Sequence, residues 1–404
     1  MPEISPPKYV KNVLKTLDSH GYSSCIVGGC VRDAIRGIEP HDWDVATVAL
    51  PEQVFALFPN SIPTGIKHGT VTVRSEDQFV EVTTFRSESG YADHRHPDSV
   101  NFVGDLKTDL SRRDFTINAI AMTSDGEIID PYHGIDDILS RIIRCVGAPE
   151  KRFEEDALRM FRAFRFSARL GFSIEQNTYE AIQENARLAR KLSAERVRDE
   201  IEKMLLTGTP EILYQVISCG LADRFLAKHL DSDDAMIRIS TLSRDALARW
   251  AMFCTILLED GCICDPEQFL SALRLDRRTI RCCKECCEIL KQSPPEDVVG
   301  WKQLMRKYGP DTIECASKCS DAMHLEKPYC VDLVKKIVES RECFSIQGLA
   351  VNGNDLREIG YQGINIGIEL NALLDMVIDF PEKNERELLL ATALEDKGIR
   401  NGFF

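Results

Sequence analysis

Ser23-Ser24-Cys25-Ile26-Val27-Gly28-Gly29-Cys30-Val31-Arg32-Asp33, followed by His41-Asp42-Trp43-Asp44-Val45-Ala46, is the stretch that decides how this chain folds. Ser23–Val27 and Trp43–Ala46 are short β-type runs and read as strands. Between them, two adjacent glycines leave a strand and open a helix, which lets backbone N–H groups approach a phosphate. Arg32 can add a charge-assisted contact to the same anion. Residues two apart in a strand face one way, so Asp42 and Asp44 make a paired carboxylate. Mg2+, a hard ion held by one or two carboxylates together with phosphate oxygens, suits such a pair. Each motif alone is common; their order along one strand–helix–strand run is far more specific. Glu81, in the middle of Phe79-Val80-Glu81-Val82, is a third carboxylate. A charged residue among apolar β-formers either faces solvent or is paired. The expectation is that its strand lies beside the Asp-x-Asp strand, giving a metal site of Asp42, Asp44 and Glu81.

Working outward, Thr70–Arg74 and Phe79–Thr84 read as further strands, and Pro51–Phe58 as a helix with proline in its first turn. Ser87–Ser99 is polar, without periodicity, and reads as a loop. Lys67 and His68, flanked by Gly65 and Gly69, are either turn residues or substrate contacts. After Pro131 the strand signals fade. From Glu154 to the mid-340s the pattern is helical, with breaks at Gly171, Gly208–Pro210, Gly220, Ser293–Pro295 and Gly309–Pro310. A final stretch opens at Ile346 and carries Gly360, Gly363 and Gly367 between short helices. The expected fold class is an α/β head with a small mixed sheet, followed by an all-α neck, body and tail. The expected divisions are 1–145, 146–207, 208–343 and 344–404.

With 404 residues the chain is too long for one ordinary core. A net charge of −14 rules out a uniformly basic coat but not a local basic stripe. From Arg141 to Lys203, 14 Lys and Arg stand against 11 Asp and Glu. No apolar run approaches the roughly 20 residues that span a bilayer. Met1–Lys15 is polar and helical in pattern, with no signal-peptide core, so the expected location is the cytoplasm. The 15 cysteines are irregularly spaced and read as free thiols in a reducing compartment. Cys282, Cys283, Cys286 and Cys287 form one dense cluster. A CxxC metal pair is conceivable there, but buried core cysteines on a helix fit better.

Gly28-Gly29 with Arg32-Asp33 and Asp42-x-Asp44 resembles the nucleotidyltransferase head of the DNA polymerase β superfamily. Arg112-Arg113-Asp114-Phe115-Thr116-Ile117-Asn118-Ala119 narrows the resemblance, as does the tract from Arg152-Phe153-x-Glu155-Asp156 to Arg165-Phe166. Together with Asp130-Pro131 and Ala194-Glu195-Arg196, they look like the class II CCA-adding tRNA nucleotidyltransferases, a branch that includes bacterial poly(A) polymerases. Leu349–Gly353 and Asn384–Glu387 are similar to the tail of the Bacillus-type members. The likeness is densest from Gly28 to Arg198 and thin between Gly208 and Glu342.

That resemblance implies a role for each matched position. Asp42, Asp44 and Glu81 would hold two Mg2+ ions; Gly29, Arg32 and Arg113 would contact the phosphates or sugar. Asp114 and Asn118 would shape the ribose side. Asp156 and Arg159 would read the base, Arg162 and Arg165 would support the triphosphate and the reading pair, and Glu195 and Arg196 would buttress their helix. Glu155–Leu170 reads as one helix, and Arg159, Arg162, Arg165 and Arg169 share a face of it by spacing. A solvated arginine face is the plain alternative. Asp accepts and Arg donates, so the pair matches the N4/N3 edge of cytosine and the N6/N1 edge of adenine, and mismatches uracil and guanine. Tyr91–Asp98 corresponds to a loop that aids the switch from C to A addition. The implied activity is addition of C, C and A to a tRNA 3′ end from CTP and ATP. Implied partners are the tRNA acceptor arm and the two nucleotides, with no membrane, in a monomer or homodimer. Alternatives are a partial (CC-adding or A-adding) enzyme, a poly(A) polymerase, or a non-catalytic RNA-binding protein on an inactive head.

Overall fold

In a computed structural model of the chain, residues 5–66, 69–89, 99–325 and 327–401 are described. The chain packs as two compact units, Met1–Asp233 and Asp234–Phe404.

The first unit is built on a mixed sheet. Its strands are β1 (Ser24–Val27), β2 (Asp44–Thr47), β3 (Ile62–Gly65), β4 (Thr70–Ser75) and β5 (Gln78–Thr84). A separate antiparallel ribbon, β6 (Arg86–Ser89) with β7 (Ser99–Phe102), follows. β8 (Ala121–Met122) and β9 (Ile128–Ile129) complete the sheet, in the order β3-β4-β5-β2-β1-β8-β9. β2 and β5 run parallel, and the other neighbouring strands antiparallel. Period-two alternation sets the layers. Val45, Val71, Val73, Val80 and Val82 are buried, each contributing roughly 1.5–3 kcal/mol of transfer free energy. Helices α1 (Lys8–Ser19) and α3 (Pro51–Leu57) pack on β4. Ala46 belongs to another cluster, with Cys25, Val27, Phe85, Leu110, Ala119, Ala121 and Val146. A one-residue slip of β2 would exchange Asp44 with Val45 and bury the wrong side chain, so the hydrophobic pattern also fixes the carboxylate's direction.

Around the sheet lie α2 (Gly29–Ile35), α4 (Leu106–Ser111) and α5 (Gly134–Ser140). A two-residue parallel pair joins β10 (Ile142–Ile143), just before the helical part, to β11 (Ser173–Ile174), which lies within it between the seventh and eighth helices. There α6 (Pro149–Glu155), α7 (Leu158–Leu170), α8 (Gln176–Asn185), α9 (Ala194–Leu205) and α10 (Ile212–Ser218) follow in order. α7 packs on both α9 and α10.

The second unit is helical. α11 (Ile237–Thr241), α12 (Ala246–Glu259), α13 (Pro266–Ala272), α14 (Arg277–Leu290), α15 (Val298–Tyr308), α16 (Pro310–Ala322) and α17 (Val331–Glu339) come first. α12 is buried from Ala248 to Leu257 without a solvent face, as expected of a helix apolar all round; α14 and α16 pack on it. The last helices, α18 (Gly353–Glu358), α19 (Ile364–Asp379) and α20 (Arg386–Asn401), enclose a cluster that includes Leu356, Leu373, Val377 and Leu389.

An α/β head followed by helices is therefore what forms, and helices end at the expected breaks Gly171, Gly208–Pro210, Gly220, Ser293–Pro295 and Gly309–Pro310. Two local expectations fail. The polar stretch Ser87–Ser99 is not wholly loop, because its two ends pair as β6 and β7 through their backbones. Glu155–Leu170 is not one helix. Asp156, at φ −142° and ψ 102°, is extended and separates α6 from α7. Tyr91–Asp98, Lys67 and His68 lie outside the described residues.

Candidate active site

The β2–β5 pairing places Asp44 directly across from Glu81. Parallel neighbours in register present their side chains to the same face, so these two carboxylates stand together. Asp42 lies just ahead of β2, outside the strand, close enough for its charge to act on Asp44. Burial first, and then the neighbouring charges of Glu81 and Asp42, push the Asp44 carboxyl up to about 6, against the pull of Arg113. The donor set is oxygen only, with three formal negative charges. A hard divalent cation fits it and would relieve the repulsion that raises Asp44. The ligand oxygens of the trio are nevertheless not drawn tight. Among the described residues, the three candidate ligands with donor atoms all within 4.8 Å of one another are cysteines of the second unit.

Asp44 lines two cavities of the first unit. One, about 450 Å³, also takes in Asp42, Asp33 and Arg36. The other, about 470 Å³, runs from Gly28, Gly29 and Asp44 past Arg113 and Asp114 to Asp156, Arg159, Arg162, Arg165 and Arg196. Gly28 adopts φ +82°, a conformation that favours glycine, and a β-carbon there would sit 3.0 Å from a guanidinium nitrogen of Arg113.

The arginines are held by carboxylates, and the pairings differ in part from those expected. Arg32 is 3% exposed, forked onto Asp33 at 2.9 Å through two nitrogens and onto the side-chain oxygen of Asn118 at 2.6 Å. Its donors are spent on the wall of the cleft. Arg113 donates to Asp109 at 3.2 Å, yet its buried Nε has no partner. Asp109 is 1% exposed and also takes Arg112 at 2.8 Å; it was not singled out from sequence, although its i,i+4 spacing to Arg113 was visible. Asp114 accepts two bonds from Arg162, at 2.8 and 2.5 Å, and one from Asn118 at 3.0 Å. Burial would raise its carboxyl, but Arg162, Asn118 and Arg159 hold it down at about 2.

Asp156 accepts from the backbone N–H of Leu158 at 3.0 Å and from Arg196 at 2.8 Å. A second nitrogen of Arg196, Nη1, is buried without a partner. Arg159 donates to Glu155 at 2.6 Å and to the carbonyls of Arg152 and Arg112. Asp156 and Arg159 thus line one cavity, each braced by its own neighbours. Arg165 bonds Glu200 at 2.6 Å. Glu200, not Glu195, is the acidic partner α9 offers to α7; Glu195 is exposed. Phe166, given no role from sequence, has the guanidinium groups of Arg32, Arg162 and Arg165 at 5.5, 5.2 and 4.2 Å from its ring centre. Its ring keeps three like charges in one place by cation–π attraction.

A mixed-sheet head presenting carboxylates to an arginine-lined cleft is a nucleotidyltransferase architecture, and comparison with known proteins agrees. Residues 24–144 match the family described as Poly A polymerase head domain, and residues 171–233 the family described as probable RNA and SrmB-binding site of polymerase A. The chain is 44% identical to the CCA-adding enzyme of Geobacillus sp. WCH70 over 357 residues, covering 85% of each. It is 52% identical to the enzyme of Lactiplantibacillus plantarum over 200 residues, an alignment spanning 50% of this chain and 49% of that relative, about half its length. The crystal structure of the Bacillus stearothermophilus CCA-adding enzyme in complex with CTP superposes with a TM-score of 0.81 at 33% identity, covering 99% of this chain and 100% of that one. The chain belongs to the CCA-adding enzyme family, whose members are metal-dependent nucleotidyltransferases. Among the described residues no helix is long and apolar enough to cross a membrane.

Proposed function

We propose that this protein adds C, C and A to the 3′ end of tRNA from CTP and ATP, without a nucleic-acid template and with release of pyrophosphate, in the cytoplasm. The observation that carries this reading is that Asp44 and the Asp156–Arg159 pair line one cavity, so a nucleotide with its phosphates at one end reaches the base-facing groups at the other.

Asp42, Asp44 and Glu81 are the residues that would hold Mg2+. When bound there, the ions supply charge neutralisation on the triphosphate and acidify the RNA 3′-hydroxyl. The chain's own part is positioning and electrostatics. Arg113 and Arg196, each with one buried nitrogen lacking a partner, line a cavity whose ligand is rich in acceptors. Arg113, beside Asp44 and under Gly28, suits the phosphates. Asp156 accepts from the exocyclic amine of cytosine or adenine, and Arg159 donates to the adjacent ring nitrogen. Uracil and guanine reverse that order and leave buried polar groups unpaired, at about 1–3 kcal/mol per group. Glu155, Arg196, Glu200 and Phe166 are positioning residues for this clamp.

Incubating the protein with tRNAs ending before CCA, after C and after CC, each with CTP and ATP together and one of the two labelled, tests the proposal. All three should extend to CCA and stop. Extension of the CC-ended tRNA alone would replace the proposal with an A-adding enzyme, and a long A homopolymer with a poly(A) polymerase. Asp156→Ala should admit UTP; unchanged discrimination against UTP would remove Asp156 from base reading.

A further inference from the structure

Seven cysteines gather on three helices of the second unit. Cys254 lies on α12, Cys282, Cys283, Cys286 and Cys287 on α14, and Cys315 and Cys319 on α16, none more than 4% exposed. Their partners sort them. Cys283 has Cys254 as its electrostatic neighbour, and Cys287 lies 3.4 Å from the hydroxyl of Thr255. The other four form two i,i+4 pairs on facing helices. Cys286 of α14 lies among the sulfurs of α16, and Cys282, one turn earlier, is near enough to Cys315 for the two thiols to interact electrostatically. The sulfur atoms of Cys286, Cys315 and Cys319 all lie within 4.8 Å of one another. The CxxC pair that stands out in the sequence, Cys283 with Cys286, is therefore split by the fold, and Cys286 is given to residues about 30 positions on.

Packing alone accounts for a small buried side chain at each position, and cysteine serves there as a small hydrophobe. Packing constrains volume, however, and alanine or valine would serve it as well. Convergence of three sulfurs from two helices is a constraint on direction. In thiolate metal sites the metal–sulfur bond is about 2.3 Å, which places sulfurs about 3.8 Å apart around a tetrahedral ion. Closing from within 4.8 Å needs shifts of about 1 Å or less at each sulfur by that geometry, within reach of side-chain adjustment. All-sulfur donors select soft or borderline ions and reject Mg2+.

We infer that Cys286, Cys315 and Cys319 bind one thiophilic metal ion, with Zn2+ as its reference species. Each thiol gives its proton to solvent as its sulfur–metal bond forms, with no change of oxidation state. Because the ligands are buried, loading accompanies folding, and the bound ion ties α14 to α16. The inference rests on the second unit alone and is independent of the activity proposed above.

The test uses the full chain, expressed and purified reduced and without chelator, and separately refolded from denaturant with Zn2+ or Cd2+. Elemental analysis should give one equivalent of zinc per chain. The cadmium form should show the ultraviolet sulfur-to-cadmium charge-transfer band. Cys315→Ala and Cys319→Ala should each weaken binding more than about 100-fold, beyond the loss typical of outer-shell substitutions, while Cys264→Ala, at an exposed cysteine, retains the metal. Should the alanine variants not fold, the unsubstituted chain decides the matter: refolding with Zn2+ should raise its thermal midpoint over refolding with chelator. Substoichiometric zinc with no such rise, or full retention of metal by Cys319→Ala, would overturn the inference.

Discussion

At the scale of single residues, Asp44 carries a conflict between stability and chemistry. Its carboxyl is raised to about 6 by burial and by Glu81 and Asp42, above the ordinary value near 4. The cation-free fold is therefore favoured while the group is protonated, below about pH 4, and this advantage is lost as pH rises through about 6. Asp44→Asn removes the penalty at neutral pH along with the metal ligand. The variant should be more stable than the parent at pH 8 in the presence of chelator, by about 1–3 kcal/mol, while transfer falls at least about 100-fold. Urea unfolding at pH 5 and pH 8, with and without Mg2+, reads the first effect, and single-turnover extension reads the second. A variant less stable than the parent at pH 8 would show that burial and like charge do not burden this position. Asp114 has the opposite sign. Held at about 2, it contributes stability above its unfolded value near 4 that disappears as pH falls towards 2.

Elements shorter than a period, or ended by distant partners, are where sequence reasoning stops. β4 and β5 alternate cleanly and were readable; β8 and β9 have two residues each and show no period. β6 and β7 pair through backbone bonds that polar side chains do not announce. The break at Asp156 is the instructive case. Residues 155–170 carry helical spacing throughout, yet the carboxylate of Asp156 prefers the Leu158 amide and Arg196, forty positions away. A side chain that bonds its own backbone in a turn outcompetes the helix there, and its long-range partner cannot be read from a local window. The carboxylates, by contrast, were legible because two lie in one short motif, while the register of Asp44 with Glu81 was an inference about strand order. Close packing between elements yields its own test. A β-carbon on Gly134 would stand 2.2 Å from the carbonyl oxygen of Thr116, where α5 meets the turn carrying Asn118. Gly134→Ala should cost about 1–3 kcal/mol by overpacking, measured by chemical denaturation, and should weaken nucleotide binding as Asn118 shifts. A neutral change would mean that α5 is free to slide.

For the molecule as a whole, the separation into two units places the entire cleft before Asp233. The fragment 1–233 is expected to bind CTP and ATP in preference to UTP and GTP, with the same preference as the full chain, both read by calorimetry. A folded fragment with no preference would show that residues beyond 233 shape the clamp. The net charge of −14 makes nonspecific attraction to RNA weak, so tRNA affinity should rest on the locally basic helices between Arg141 and Lys203 and fall as salt is raised. Since the first unit holds its own hydrophobic core, the whole cleft and the locally basic helices, the proposed base choice and the expected grip on RNA both lie before residue 234. A module gripping some other transcript, fused in place of 234–404, would then have to outcompete that built-in hold before the proposed addition of C and A could be redirected to a chosen RNA end.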